Sequence, residues 1–257
     1  MATQDVPVKA ERKHRIVACL AISALAIGLY FVPFGWYALY PFMLVYTFIH
    51  EMGHGIAAIL TGGDFLKFEM WIDGSGMATS LPAEGAGRLS HAFVAFGGLI
   101  APAIMAAICL ALGRSGKASR IGLYVFTGIC ALSLILVVRP ILFGFGFWFV
   151  LACGLASFAL AKFPKSNRVP QYSMLFLAIT LLTAVFSRGD YLFTPTAQTA
   201  IGVSPSDVGQ IAENLFLPYW FWGGLIALLS VAILVIGVRS FFMADTDTPP
   251  QKQLPPE

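Results

Sequence analysis

Long apolar stretches alternate with short polar ones along this chain. Apolar runs occupy about residues 16–37, 41–61, 89–112, 120–138, 141–161, 170–187 and 217–241. Each is close to the ~17–25 residues that a helix needs to cross a bilayer. The pattern predicts an all-α polytopic membrane protein with about six or seven transmembrane helices. The fourth and fifth runs are divided only by Arg139-Pro140, which suits either a tight hairpin between two spans or one broken helix.

Two polar segments interrupt this pattern. In the first, residues 62–88, Phe65–Ile72 alternates in character, Asp73-Gly74-Ser75-Gly76 follows as a turn, and Met77–Leu81 completes a predicted β-hairpin. The second, residues 188–216, is a polar loop that ends in a short amphipathic helix, Val208–Leu215. The remaining polar stretches are the ends. Residues 1–15 form a basic tail with Lys9, Arg12, Lys13 and Arg15. No small-residue cleavage site follows it, so the first run is read as an uncleaved span. The Pro-rich residues 243–257 read as disordered. Residues 16–242 then form a single transmembrane domain.

Composition agrees. Of 257 residues, 58% are hydrophobic and 11% charged, against about 25% charged in soluble domains. The mean hydropathy is +0.80. The net charge of +3 is small and gathers at the ends of apolar runs. That is interfacial anchoring, and it excludes nucleic acid as a partner; lipid is the expected one. Cys19, Cys109, Cys130 and Cys153 lie inside apolar runs without C-x-x-C spacing, as small buried hydrophobes do. The basic residues give no single orientation. The tail favours a cytoplasmic N-terminus, but on a seven-span count the basic stretches 114–120 and 162–168 fall on the opposite side.

One run carries charge. Between Ile16 and Thr61 the only Asp, Glu, Lys, Arg or His residues are His50, Glu51 and His54, within PFMLVYTFIHEMGHGIAAILT (Pro41–Thr61). An ionised group at the centre of a membrane helix costs roughly 2.5–3.5 kcal/mol on insertion scales, so three together point to function. Their spacing is H-E-x-x-H. Positions i and i+4 share a helical face, so both imidazoles can reach one metal ion, and Glu51 can act as general base on a metal-activated water. A catalytic zinc takes three protein ligands and an open position. The other histidines are His14, in the tail, and His91, at the start of the third run. Acids near the membrane are Asp190 and Asp207, with Asp64, Glu69, Asp73 and Glu84 in the hairpin segment. Asp207 has a second reading, because Ser204-x-x-Asp207 with Pro205 is also a helix N-terminal capping pattern.

HEMGHGIAAILTGGDF, the hairpin after it and the glycine-rich FGGLIAP together resemble the bacterial branch of the site-2 protease-like intramembrane zinc metallopeptidases. SPSDVGQIAENLFLPYWFWGGL extends the resemblance near the C-terminus. The resemblance implies a multi-pass protein of a bacterial inner membrane with zinc as cofactor. It implies His50 and His54 as metal ligands, Glu51 as catalytic base and a later aspartate as third ligand. Better-known members carry that aspartate in Asn-Pro-Asp-Gly or Leu-Asp-Gly, which this chain lacks. Asp207 is the preferred position and Asp190 the alternative. The expected reaction is peptide-bond hydrolysis in or near the membrane, on a membrane-protein or peptide substrate. Two other classes stay open: a metal-binding membrane scaffold or transporter without hydrolysis, and a membrane hydrolase of a non-peptide substrate. Oligomeric state is not readable.

Overall fold

The computed structural model describes residues 5–187, 189–199 and 202–243. Its helices are α1 (Asp5–Leu29), α2 (Gly35–Leu60), α3 (Arg88–Leu112), α4 (Gly116–Leu136), α5 (Phe145–Lys162), α6 (Arg168–Ser187), α7 (Asp207–Leu215) and α8 (Tyr219–Met243). Among the described residues, six helices, α2 to α6 and α8, are long and apolar enough to cross a membrane. The first apolar run is the one that falls short. It breaks at residues 30–34, where Pro33 lacks an N–H and disfavours helix at Val32, and Phe34 takes a left-handed conformation with φ 64°. The apolar part of α1 is therefore only Ile16–Leu29. α1 begins at Asp5, inside the segment read as a polar tail. Residues 244–257, read as disordered, lie outside the described residues.

Arg139-Pro140 separates two helices rather than kinking one. α4 ends at Leu136 and α5 starts at Phe145. The connection is pinned by its own backbone: Phe68 N–H donates to the Val137 carbonyl at 2.8 Å, and Arg139 N–H donates to the Phe68 carbonyl at 2.9 Å.

The hairpin forms where the alternation predicts it. β1 (Asp64–Met70) pairs antiparallel with β2 (Gly76–Leu81), and Gly74 at the turn has φ 87°, which favours glycine. It folds back alongside α2 instead of standing beyond it. Gly63 N–H donates to the Ala58 carbonyl at 2.9 Å near the base. Thr47 Oγ1 donates to the Gly74 carbonyl at 2.9 Å near the tip, and Tyr40 O–H donates to the Ile72 carbonyl. The hairpin thus runs along a membrane-crossing helix from Ala58 back to Tyr40. Backbone at that depth survives only when protein or a polar cavity satisfies it. The segment 137–139 covers the outer edge of β1 at Phe68, which is fully buried with Val138.

α2 and α3 pack closely. A Cβ on Gly53 would stand 2.4 Å from the Gly97 carbonyl oxygen, and one on Gly97 would stand 2.5 Å from Ala57 Cβ. Small residues permit such backbone approach between membrane helices. The shared core includes Leu44, Phe48, Ala103, Val150 and Leu181.

The polar segment 188–216 holds more structure than a loop and one helix. A 3-10 turn, Gly189–Phe193, leads into a second hairpin, β3 (Thr196–Thr199) paired antiparallel with β4 (Gly202–Pro205). α7 follows, and Val208 and Ile211 bury it against Ala92, Ala95 and Leu99 of α3.

Candidate metal centre

α2 places His50, Glu51 and His54 in the middle of the protein. His50 and Glu51 are each only 8% exposed. The i, i+4 spacing brings the two imidazoles together, with His50 Nε2 and His54 Nε2 3.1 Å apart. The His54 ring fits because position 98 is glycine; a Cβ there would stand 2.2 Å from ring atoms of His54. His54 Nδ1 lies 2.8 Å from the Val94 carbonyl oxygen. That contact holds the proton on Nδ1 and turns the Nε2 lone pair inward, the arrangement of a metal-ligating histidine. His50 stacks on Tyr46, with ring centroids 6.1 Å apart. His50 Nδ1 is buried without a hydrogen-bond partner among the described residues.

Asp207 enters from α7. Its Oδ2 lies 3.0 Å from His50 Nε2, and its Oδ1 lies 3.4 Å from His54 Nε2. Burial by itself pushes the Asp207 carboxyl up. The His54 and His50 imidazoles outweigh burial and hold it well below the ordinary carboxylate range. The capping role falls on its neighbour: Ser206 Oγ accepts from Gly209 N–H at 3.1 Å and donates to the Thr194 carbonyl at 2.6 Å. Asp207 is the first helical residue, and its carboxylate faces the histidines.

These donors fit a metal ion. Ligands 2.0–2.1 Å from a tetrahedral zinc stand about 3.3–3.4 Å from one another. The separations here are 3.0, 3.1 and 3.4 Å. Lone pairs converging on one buried point make a favourable place for a cation. Donor atoms of His50, Glu51 and His54 also lie within 4.8 Å of one another. Asp207 stands closer to both imidazoles, and Glu51 is engaged elsewhere. Glu51 Oε2 accepts from Ala78 N–H of β2 at 2.7 Å.

That hydrogen bond fixes the orientation of β2. Ala78 N–H points away from β1, and by the alternation of an antiparallel ladder so do the polar groups of Gly76 and Ser80. This edge borders a cavity of about 360 Å³ lined also by His50, Glu51, His54 and Asp207. All four residues of β4 line the same cavity, so it lies between the two hairpins. A second space of about 100 Å³ continues from His50 and Glu51 past Tyr191 to Gln198.

The other sequence-derived candidates lie elsewhere. His91 is exposed on the first turn of α3. Glu69 pairs with Lys67 at 2.6 Å, and Asp73 accepts from Ser75 N–H and Oγ at 2.9 and 2.7 Å. Asp64 and Glu84 are exposed. Asp190 belongs to the 3-10 turn, and its side chain lies outside the described residues, as does that of His14. Sequence reasoning passed over Tyr191, whose O–H donates to Asp207 Oδ2 at 3.2 Å.

No match is found among curated proteins or among solved structures. A family of metallopeptidases does match, over residues 16–237, a stretch that includes the histidines, Glu51, Asp207 and all six membrane-length helices apart from the end of the last. The chain belongs to the Peptidase M50B-like family.

Proposed function

We propose that this protein is a zinc-dependent intramembrane peptidase, hydrolysing peptide bonds of a membrane protein or membrane-proximal peptide. The setting we infer is a bacterial inner membrane, on the resemblance of the H-E-x-x-H block and hairpin to the bacterial branch. One observation carries the reading. Two imidazole nitrogens on a membrane-length helix stand 3.0–3.4 Å from each other and from the Asp207 carboxylate of α7, with a second carboxylate, Glu51, in the same cavity.

His50, His54 and Asp207 would hold the zinc, which when bound polarises the scissile carbonyl and acidifies water. Glu51 takes a proton from the attacking water and returns it to the leaving amine. The Ala78 N–H aims its carboxylate by holding Oε2. The open edge of β2 offers backbone groups to an extended substrate, as sheet edges do in peptide recognition. A helical substrate has to unwind locally to use it. The cavity admits the water that lipid excludes.

The test uses purified full-length protein in detergent, wild type beside Glu51→Gln, with metal analysis and cleavage of membrane-protein substrates run together. Zinc in both and cleavage by wild type alone supports the peptidase. Zinc in both with equal cleavage removes Glu51 as the base. Zinc without cleavage by wild type favours a scaffold, a transporter or a hydrolase of a non-peptide substrate.

A further inference from the structure

We propose that Tyr191 is a positioning residue for Asp207: its phenol holds the carboxylate in the orientation that completes the metal centre. The inference rests on the reading of Asp207 as third ligand.

The two histidines are oriented by α2, and His54 also by the Val94 carbonyl. Asp207 has less support. It begins a helix of nine residues and follows a hairpin whose strand β4 is exposed along its length. An aspartate in that place needs a donor to fix its carboxylate plane. Tyr191 supplies one. A carboxylate only accepts, so the 3.2 Å contact is a phenol O–H donating to Oδ2. The tyrosine ring also meets His50 edge-on, with centroids 6.3 Å apart and planes at 80°. One side chain therefore touches two of the three donor residues.

Tyr191 is itself fixed through its neighbour. The Leu192 carbonyl packs onto Gly223 of α8 so closely that a Cβ at 223 would stand 1.9 Å from its oxygen. The 3-10 turn is thus seated on a transmembrane helix, and the phenol inherits that rigidity. Packing alone does not call for tyrosine here. Phenylalanine would fill the same space without the hydroxyl that donates to the carboxylate. Donors that orient metal-ligating side chains typically contribute 10–100-fold to metal affinity.

The experiment titrates zinc alone into metal-stripped full-length protein in detergent against a competing chelator. It compares wild type, Tyr191→Phe and Asp207→Asn, with the thermal midpoint of each metal-free protein as a control on folding. The expected result is a 10–100-fold weaker zinc affinity in Tyr191→Phe, a larger loss in Asp207→Asn and unchanged metal-free midpoints. A lost hydroxyl that only filled space would leave zinc affinity at the wild-type value. Tyr191→Phe binding zinc like wild type while Asp207→Asn is weakened overturns the positioning role and leaves the ligand in place. Equal zinc binding by wild type and Asp207→Asn overturns the ligand and the positioning role together.

Discussion

Glu51 Oε2 and Ala78 N–H are joined by a 2.7 Å hydrogen bond between a transmembrane helix and the open edge of a hairpin. The side chain proposed as general base and the strand proposed to receive substrate are therefore one mechanical unit. Glu51→Gln keeps the size of the side chain and removes the basic carboxylate. It is expected to retain zinc and to lose cleavage by the ~10²–10⁴-fold that general acid–base catalysis contributes. Elemental analysis and a cleavage assay on the same preparation measure both.

Removing the imidazoles has the opposite signature. His50→Ala with His54→Ala should abolish stoichiometric zinc along with cleavage, since two of three donors are gone. Zinc content equal to wild type in the double variant would contradict the metal assignment at its root.

Gly98 tests how the His54 ring is accommodated. A methyl group at 98 would stand 2.2 Å from the imidazole, so either the ring or α3 must move. Gly98→Ala is expected to lower zinc affinity and to destabilise the protein by about 1–3 kcal/mol, the usual cost of overpacking. Chelator competition and thermal denaturation read the two effects separately. Unchanged zinc affinity would mean that the ring finds another position of equal quality.

Gly76 tests the coupling of hairpin and base without touching a metal donor. A Cβ there would stand 2.7 Å from Thr47 Cγ2 and 2.9 Å from Glu51 Cγ. Gly76→Val should displace β2 from α2 and lower kcat/KM while zinc content stays at the wild-type level. Thr47→Val, which deletes the hydrogen bond to the Gly74 carbonyl, should cost about 0.5–1.5 kcal/mol of stability. A Gly76→Val protein that cleaves at the wild-type rate would show that the hairpin acts independently of the site.

What the sequence reveals about this site follows the range of each interaction. His50, Glu51 and His54 lie within five positions of one helix, so their spacing alone predicts that they meet. The first hairpin is legible for a similar reason, because alternation and a glycine turn are local signals. Asp207 is visible as an acid in an apolar region, but its histidine partners are more than 150 positions away. The capping pattern misleads: Ser204-x-x-Asp207 with Pro205 reads as a helix start, but Ser204 and Pro205 lie in β4 and Ser206 caps the helix at Gly209. Tyr191 gives no periodic signal. Its place depends on Leu192 meeting Gly223, a contact between segments that no spacing links. The second hairpin escapes notice because its strands are four residues each and lack clear alternation. The first apolar run misleads in the other direction: its hydrophobicity continues through Pro33, while the backbone does not.

The donors of this centre are distributed unevenly in time. A growing chain emerges N-terminal end first, and His50, Glu51 and His54 leave the ribosome long before Asp207. Until the last third of the protein has been made and α7 has docked on α3, the nascent chain carries the histidine pair without its buried aspartate partner. A polypeptide halted before residue 207 would carry His50, His54 and Glu51 without the third proposed ligand. The donor set is therefore completed only when α7, near the C-terminal end of the fold, has docked on α3.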